Sequence, residues 1–168
     1  MNNSDEVLLA KQLLELPNTL NEQINIDFLH LRKLYELRDR YGSGYLPQEK
    51  VKGGQLPHSP VTKIIDKIAD LEREIDSELK EYDRVMEHIK KVFSLLEPKY
   101  RSLLKERYLN QKSISEIVEN SEYLASSTLY TQHNRAMKRV VEIMKQQGLV
   151  ENGKYDSKAV LGTAETAE

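Results

Sequence analysis

Residues 98–144 read PKYRSLLKERYLNQKSISEIVENSEYLASSTLYTQHNRAMKRVVEIM, and the punctuation of this stretch decides the fold. Pro98 suits the first turn of a helix, where a missing N–H costs nothing. PKYRSLLKERYLN sets Tyr100, Leu103, Leu104 and Tyr108 on one side and Lys99, Arg101, Lys105 and Arg107 on the other. Asn110-Gln111-Lys112 is a short turn. Ser113 with Glu116 three residues on forms a capping box, and it opens a short helix whose buried side is Ile114, Ile117 and Val118. A turn over Asn120–Ala125 leads to a third helix, for which Ser126 is the expected N-cap. A supporting helix, a scaffold helix, a turn and a longer last helix is the order of a helix-turn-helix.

The last helix has two unlike faces. At helical spacing Leu129, His133, Ala136, Val140 and Met144 share one side, with Met137 and Ile143 at its margins. Ser127, Thr131, Asn134, Arg135 and Lys138 lie opposite, with Thr128 beside them. These side chains are of the kind that read base edges and grip phosphates. From Ser126 to Arg139 there is no acidic residue, whereas an ordinary solvated helix carries Glu–Lys pairs. The face predicts insertion into a groove of DNA.

Upstream, apolar residues recur every seventh position from Val61 through Ile68, Ile75, Tyr82 and Ile89 to Leu96. Ile64, Leu71, Leu79, Met86 and Phe93 fall between them, so residues 61–97 are predicted to form one long coiled-coil-like helix. Its expected partner is Leu20–Tyr41, a second copy of the chain, or both. Within 1–41, Asp5–Leu16 is expected to be a short helix ended by Pro17. A second helix, capped by Asn18 or Thr19, runs to about Tyr41 with Leu20, Ile24, Phe28, Leu31, Leu34 and Tyr35 on its apolar face. Residues 42–60 hold four of the seven glycines and three of the five prolines, the composition of a loop. Residues 148–168, rich in Gly, Ala, Thr and Glu, read as a disordered tail. The fold class expected is all-α: a long N-terminal helical hairpin or coiled coil, then a helix-turn-helix domain over 98–147.

Charge is distributed unevenly over this frame. Residues 1–97 carry a net −4, residues 98–147 a net +4 and residues 148–168 a net −2, so the basic block is the one with the acid-free helix. The chain has no cysteine, which excludes disulfides and thiolate metal sites. MNNSDEVLLAKQ has acidic residues where a secretory signal is basic, and its apolar run is only Val7–Ala10. A cytoplasmic protein with no membrane association is expected. No phosphate-cradling glycine loop, H-E-x-x-H or recognisable nucleophile grouping occurs, so neither an enzyme nor a cofactor is expected. His30, His58, His88 and His133 are dispersed, and His133 reads as a core or boundary histidine. The acidic run LEREIDSELKEYDR (71–84) reads as a solvated coil face, with no metal site.

The segment LLEPKYRSLLKERYLNQKSISEIVENSEYLASSTLYTQHNRAMKRV (95–140) resembles the DNA-binding region four of sigma factors. The likeness is carried by Tyr108, Ser113, Glu116-Ile117, Ser127-Thr128-Leu129 and Arg135-Ala136-Met137. Over residues 20–144 the arrangement resembles the phage late-transcription regulators of the ArpU, RinA and LtrC kind. The chain departs from the pattern in a longer turn without glycine (ENSEYLAS, 119–126) and in Ser126, where a basic residue is usual. The resemblance implies a transcriptional regulator, an activator of phage late genes that works on double-stranded DNA with host RNA polymerase. Base-reading positions are then Ser127, Thr128, Thr131, Asn134, Arg135 and Lys138, and phosphate contacts Lys105, Arg107, Lys112 and Ser126. Two other readings fit the same outline: a small terminase-like subunit that recognises phage DNA, and a coiled-coil adaptor whose last module binds protein.

Overall fold

Pro17 does not end the first helix. In the computed structural model, which describes residues 3–42, 60–121, 125–151 and 154–155, helix α1 runs unbroken from Asn3 to Gly42 with Pro17 inside it. An interior proline costs roughly 3 kcal/mol through a lost hydrogen bond and a ring clash. Here Leu9, Ala10, Leu13, Leu14 and Pro17 form one buried stripe across the proline, and that burial offsets the cost. Asn18, expected as a cap, donates instead through Nδ2 to the backbone carbonyl of Tyr108 at 2.9 Å.

The remaining elements follow in order: α2 (Pro60–Ser94), α3 (Pro98–Leu104), a π-helical turn (Lys105–Leu109), α4 (Ile114–Glu119), α5 (Ser126–Gln146), and the two-residue strands β1 (Val150–Glu151) and β2 (Lys154–Tyr155). The chain is all-α apart from that antiparallel strand pair, which matches Val150 with Tyr155 and Glu151 with Lys154. Most of the 42–60 loop and the body of the α4–α5 turn lie outside the described residues. Among the described residues no helix is long and apolar enough to cross a membrane.

Two compact units divide the chain. One comprises Leu20–Lys80, the other Met1–Thr19 with Glu81–Glu168. In the first, Ile24 of α1 and Ile64, Ile68 and Ile75 of α2 are the buried apolar side chains among the described residues, and the Tyr35 hydroxyl donates to the Glu72 carboxylate. Over Ile64–Ile75 the seam of α2 is therefore covered within the chain, with Tyr35 of α1 bonded across to it. Asp27 is also buried in this unit and accepts from Gln23 Nε2 at 2.9 Å, with His30 Nδ1 3.8 Å away.

The heptad seam differs from its sequence reading by one position. Strict alternation of three and four puts Glu78, Val85 and Val92 on the seam where the sequence reading placed Leu79, Met86 and Phe93, and of those three only Phe93 is buried. Val85 and Val92 are fully buried, while Leu79 is 41% exposed. Glu78, half-buried, holds an apolar position, and that substitution displaced the hydrophobic reading onto Leu79. Phe28, expected on the inner face of α1, is 47% exposed for a related reason: Asp27 takes the inward position beside it.

In the second unit α3 and α4 both pack against α5, and Leu104, Leu129, Ala136, Met137, Val140 and Met144 are buried almost completely. Helix α5 ends in a Schellman turn. Leu149 N–H reaches the Met144 carbonyl at 2.9 Å and Gly148 N–H the Lys145 carbonyl at 3.2 Å, with Gly148 at φ 71°. This turn buries Leu149 and starts the strand pair, so the expected disordered tail does not begin at residue 148. Residues 156–168 lie outside the described residues.

Candidate nucleic-acid interface

Three local devices position α5. The first is the corner between α2 and α3, where Arg101 Nη2 donates to the carbonyls of Leu96 at 3.1 Å and Ser94 at 3.3 Å. The second is the turn before α4. Asn110 N–H bonds the Lys105 carbonyl and Lys112 N–H the Glu106 carbonyl, each at 3.0 Å, and Gln111 sits at φ 55°. Glu106 gathers this turn by accepting from Asn110 Nδ2 at 2.9 Å and pairing with Lys112 Nζ. Its hydrogen bond with Lys112 holds its carboxyl below the usual carboxylate range. Arg107 Nη1 closes the turn on the Lys112 carbonyl at 2.9 Å. The third device is the capping box: Ser113 Oγ accepts from Glu116 N–H at 3.2 Å, and Ser113 N–H donates to Glu116 Oε2 at 2.6 Å. The backbone hydrogen bond from Ser113 pushes the Glu116 carboxyl down.

Tyr108 joins the supporting helix to α5. Its hydroxyl and His133 Nε2 share a hydrogen bond at 3.1 Å, and the two rings stack with centroids 5.9 Å apart. Burial raises the Tyr108 hydroxyl to about 12, so it stays protonated at any physiological pH. Burial lowers His133 below the ordinary histidine value, and the nearby Arg107 charge adds to this against a hydrogen bond with Asn134. A pH dependence follows. Because folding lowers this pKa, the unfolded chain takes up the proton first, and the stability from the neutral ring is complete above the ordinary value near 6.5. It is lost as pH falls through the lower folded value. The melting temperature is expected to fall between pH 7.5 and 5.5, and His133→Gln should flatten much of that slope. Some slope should remain from His88, which burial also lowers.

On the far side of α5 the side chains singled out by sequence stand together in solvent. Ser127, Thr128, Thr131, Asn134, Arg135 and Lys138 are all exposed. Thr131 Oγ1 donates to the Ser127 carbonyl at 3.0 Å, which ties its hydroxyl to the helix. Among the described residues Arg135 and Lys138 have no hydrogen-bond or ion-pair partner, whereas the next cation, Arg139, is paired with Glu142 at 2.5 Å. Ser126 is not the cap. Ala125, with φ −68° and ψ 147°, holds that position and Ser126 is the first helical residue, so among the described residues no side chain caps the first-turn N–H groups. Alanine is a weak start signal for a helix, and the sequence rule favoured the better capping residue beside it.

The phosphate set divides. Lys105 is exposed and among the described residues has no carboxylate partner, while Arg107 and Lys112 are half-buried and engaged in the turn. Ile114, Ile117 and Val118 are half-buried, less covered than their apolar character predicts. Sequence reasoning missed Tyr130, 56% exposed on α5, and the N-terminal residues that approach it. Val7, Lys11, Arg107, Ile114, Tyr130 and His133 line a cleft of about 230 Å³. Tyr130 was legible as the aromatic next to Leu129 and off its face; the arrival of Val7 and Lys11 was not. Among the described residues no group of three or more His, Cys, Asp or Glu is gathered to hold a metal ion. No protein-family model, curated protein or solved structure matches the chain.

Proposed function

We propose that the chain is a sequence-specific DNA-binding transcriptional regulator that lays α5 in the major groove. One observation carries the reading: α5 is closed on one face, with Leu129, Ala136 and Val140 buried, and open on the other. That open face bears Ser127, Thr128, Thr131, Asn134, Arg135 and Lys138 with no acid among them. Uncapped first-turn N–H groups add a site for a phosphate at the end of the helix. In this reading Ser127, Thr128 and Thr131 lie deepest and meet base edges, with Asn134 behind them. Lys105 grips the backbone, and Arg107 and Lys112 act chiefly by holding the turn from which α4 starts. The resemblance of residues 95–140 to sigma region four supports a role at promoters with RNA polymerase, as an activator of phage late genes in the cytoplasm of the host. The same reading makes the chain a non-enzyme that needs no cofactor.

Selection of bound duplexes from a random pool, followed by footprinting on the selected sequence, tests this. A consensus of a few base pairs is expected, with affinity that falls steeply as salt rises. Lys105→Ala should weaken every duplex alike and lower the salt slope by roughly one unit. A pool that yields no consensus, or binding indifferent to salt, would sink the proposal.

A further inference from the structure

The end of α2 and the start of the helix-turn-helix leave a groove of about 370 Å³ between them. Met86, Ile89 and Phe93 form one wall and Leu109 belongs to the other. The lining positions step by three and four along α2 and by four along α3 and its π-helical turn, from Arg101 to Lys105 to Leu109. Each wall is therefore one stripe of a helix, about two turns or roughly 10 Å long. Two parallel stripes make a trough whose natural filler is a third helix, with apolar anchors at i, i+3 or i+4 and i+7.

Charge narrows the occupant. Lys90, Arg101 and Lys105 line the groove, and among the described residues none of them is paired with a carboxylate. Cations elsewhere on the chain are routinely neutralised, as in Lys11–Glu15, Arg32–Glu36, Arg73–Asp70 and Lys80–Asp76. Three uncompensated cations around an apolar floor are complementary to a segment that is apolar on one side and acidic on its flanks. A DNA backbone would use the cations and leave the half-buried Met86 and Leu109 uncovered. A small enclosed ligand is disfavoured because Lys90, Arg101 and Lys105 are exposed, so the groove is open along its length.

We infer that this groove docks about two turns of an acidic amphipathic helix from a partner protein. The inference does not rest on the DNA reading. A fluorescein-labelled synthetic helix with leucines at i, i+3, i+4 and i+7 and glutamates on both flanks, titrated against the full chain by anisotropy, provides the test. Saturable binding is expected, with protection from hydrogen exchange at residues 86–93 and 101–109. Met86→Glu with Lys90→Glu should weaken it about tenfold or more, and Lys90→Ala alone about threefold, through lost anchoring and reversed charge. Replacing the glutamates of the peptide by lysines, or its leucines by alanines, should abolish binding. Equal binding of the lysine peptide, insensitivity to both variants, or protection elsewhere would overturn the inference. So would protection of residues 86–93 by duplex DNA or by self-association of the chain in place of the peptide.

Discussion

Ala136→Glu is expected to unfold the helix-turn-helix module. Ala136 has no exposed surface and lies on the α5 face that packs against α3 and α4, with Leu104 and Met137 equally enclosed. A glutamate there overpacks the contact, at about 1–3 kcal/mol. It also brings a carboxylate into an apolar layer, which costs several kcal/mol more unless the group is protonated. Small domains have only about 5–15 kcal/mol to lose, so the cooperative transition should disappear or drop far in temperature. Circular dichroism should show residual helix without a sharp melt. Arg135→Ala, one residue earlier and exposed, should melt like the parent. A normal melt for Ala136→Glu would mean that α5 is rotated from the orientation described.

The second large effect is expected in the hairpin. Ile68 and Ile75 are two of the four buried apolar side chains among the described residues of Leu20–Lys80. Changing both to Asp forfeits roughly 1.5–3 kcal/mol of burial apiece and adds the desolvation of two carboxylates. Hydrogen exchange should show protection lost over residues 24–41 and 61–79 and kept over 98–147. Loss of protection across the whole chain would contradict the division into two units.

Local signals were the legible ones. The capping box at Ser113 and Glu116 and the two faces of α5 depend on residues three or four apart, so the sequence displays them directly. Pro17 misled because backbone propensity is local, whereas the burial of Leu13 and Leu14 that overrides it depends on distant chain. Asn18 meets Tyr108 across 90 residues, a pairing that no periodicity announces. The seam reading slipped at Glu78 because a carboxylate on an apolar position looks like a phase change. At the candidate interface, exposure of the six α5 residues followed from the helical wheel. That Arg107 and Lys112 are spent on the turn did not, since their partners are a carbonyl and a carboxylate brought close by a π-helical turn.

The central claim is that the open face of α5 reads DNA, and its most direct test is the affinity of Arg135→Ala, Lys138→Ala and their combination for the selected duplex and for an unrelated one. Both side chains are exposed and, among the described residues, unpaired, so folding should be unchanged by circular dichroism. The account predicts a loss of about 1–3 kcal/mol for a side chain on a base edge, with preference relaxed at one base pair. A side chain on phosphate should instead weaken both duplexes equally and lower the salt slope by roughly one unit. A folded double variant that binds both duplexes as tightly as the parent, at low and at high salt, would contradict the account.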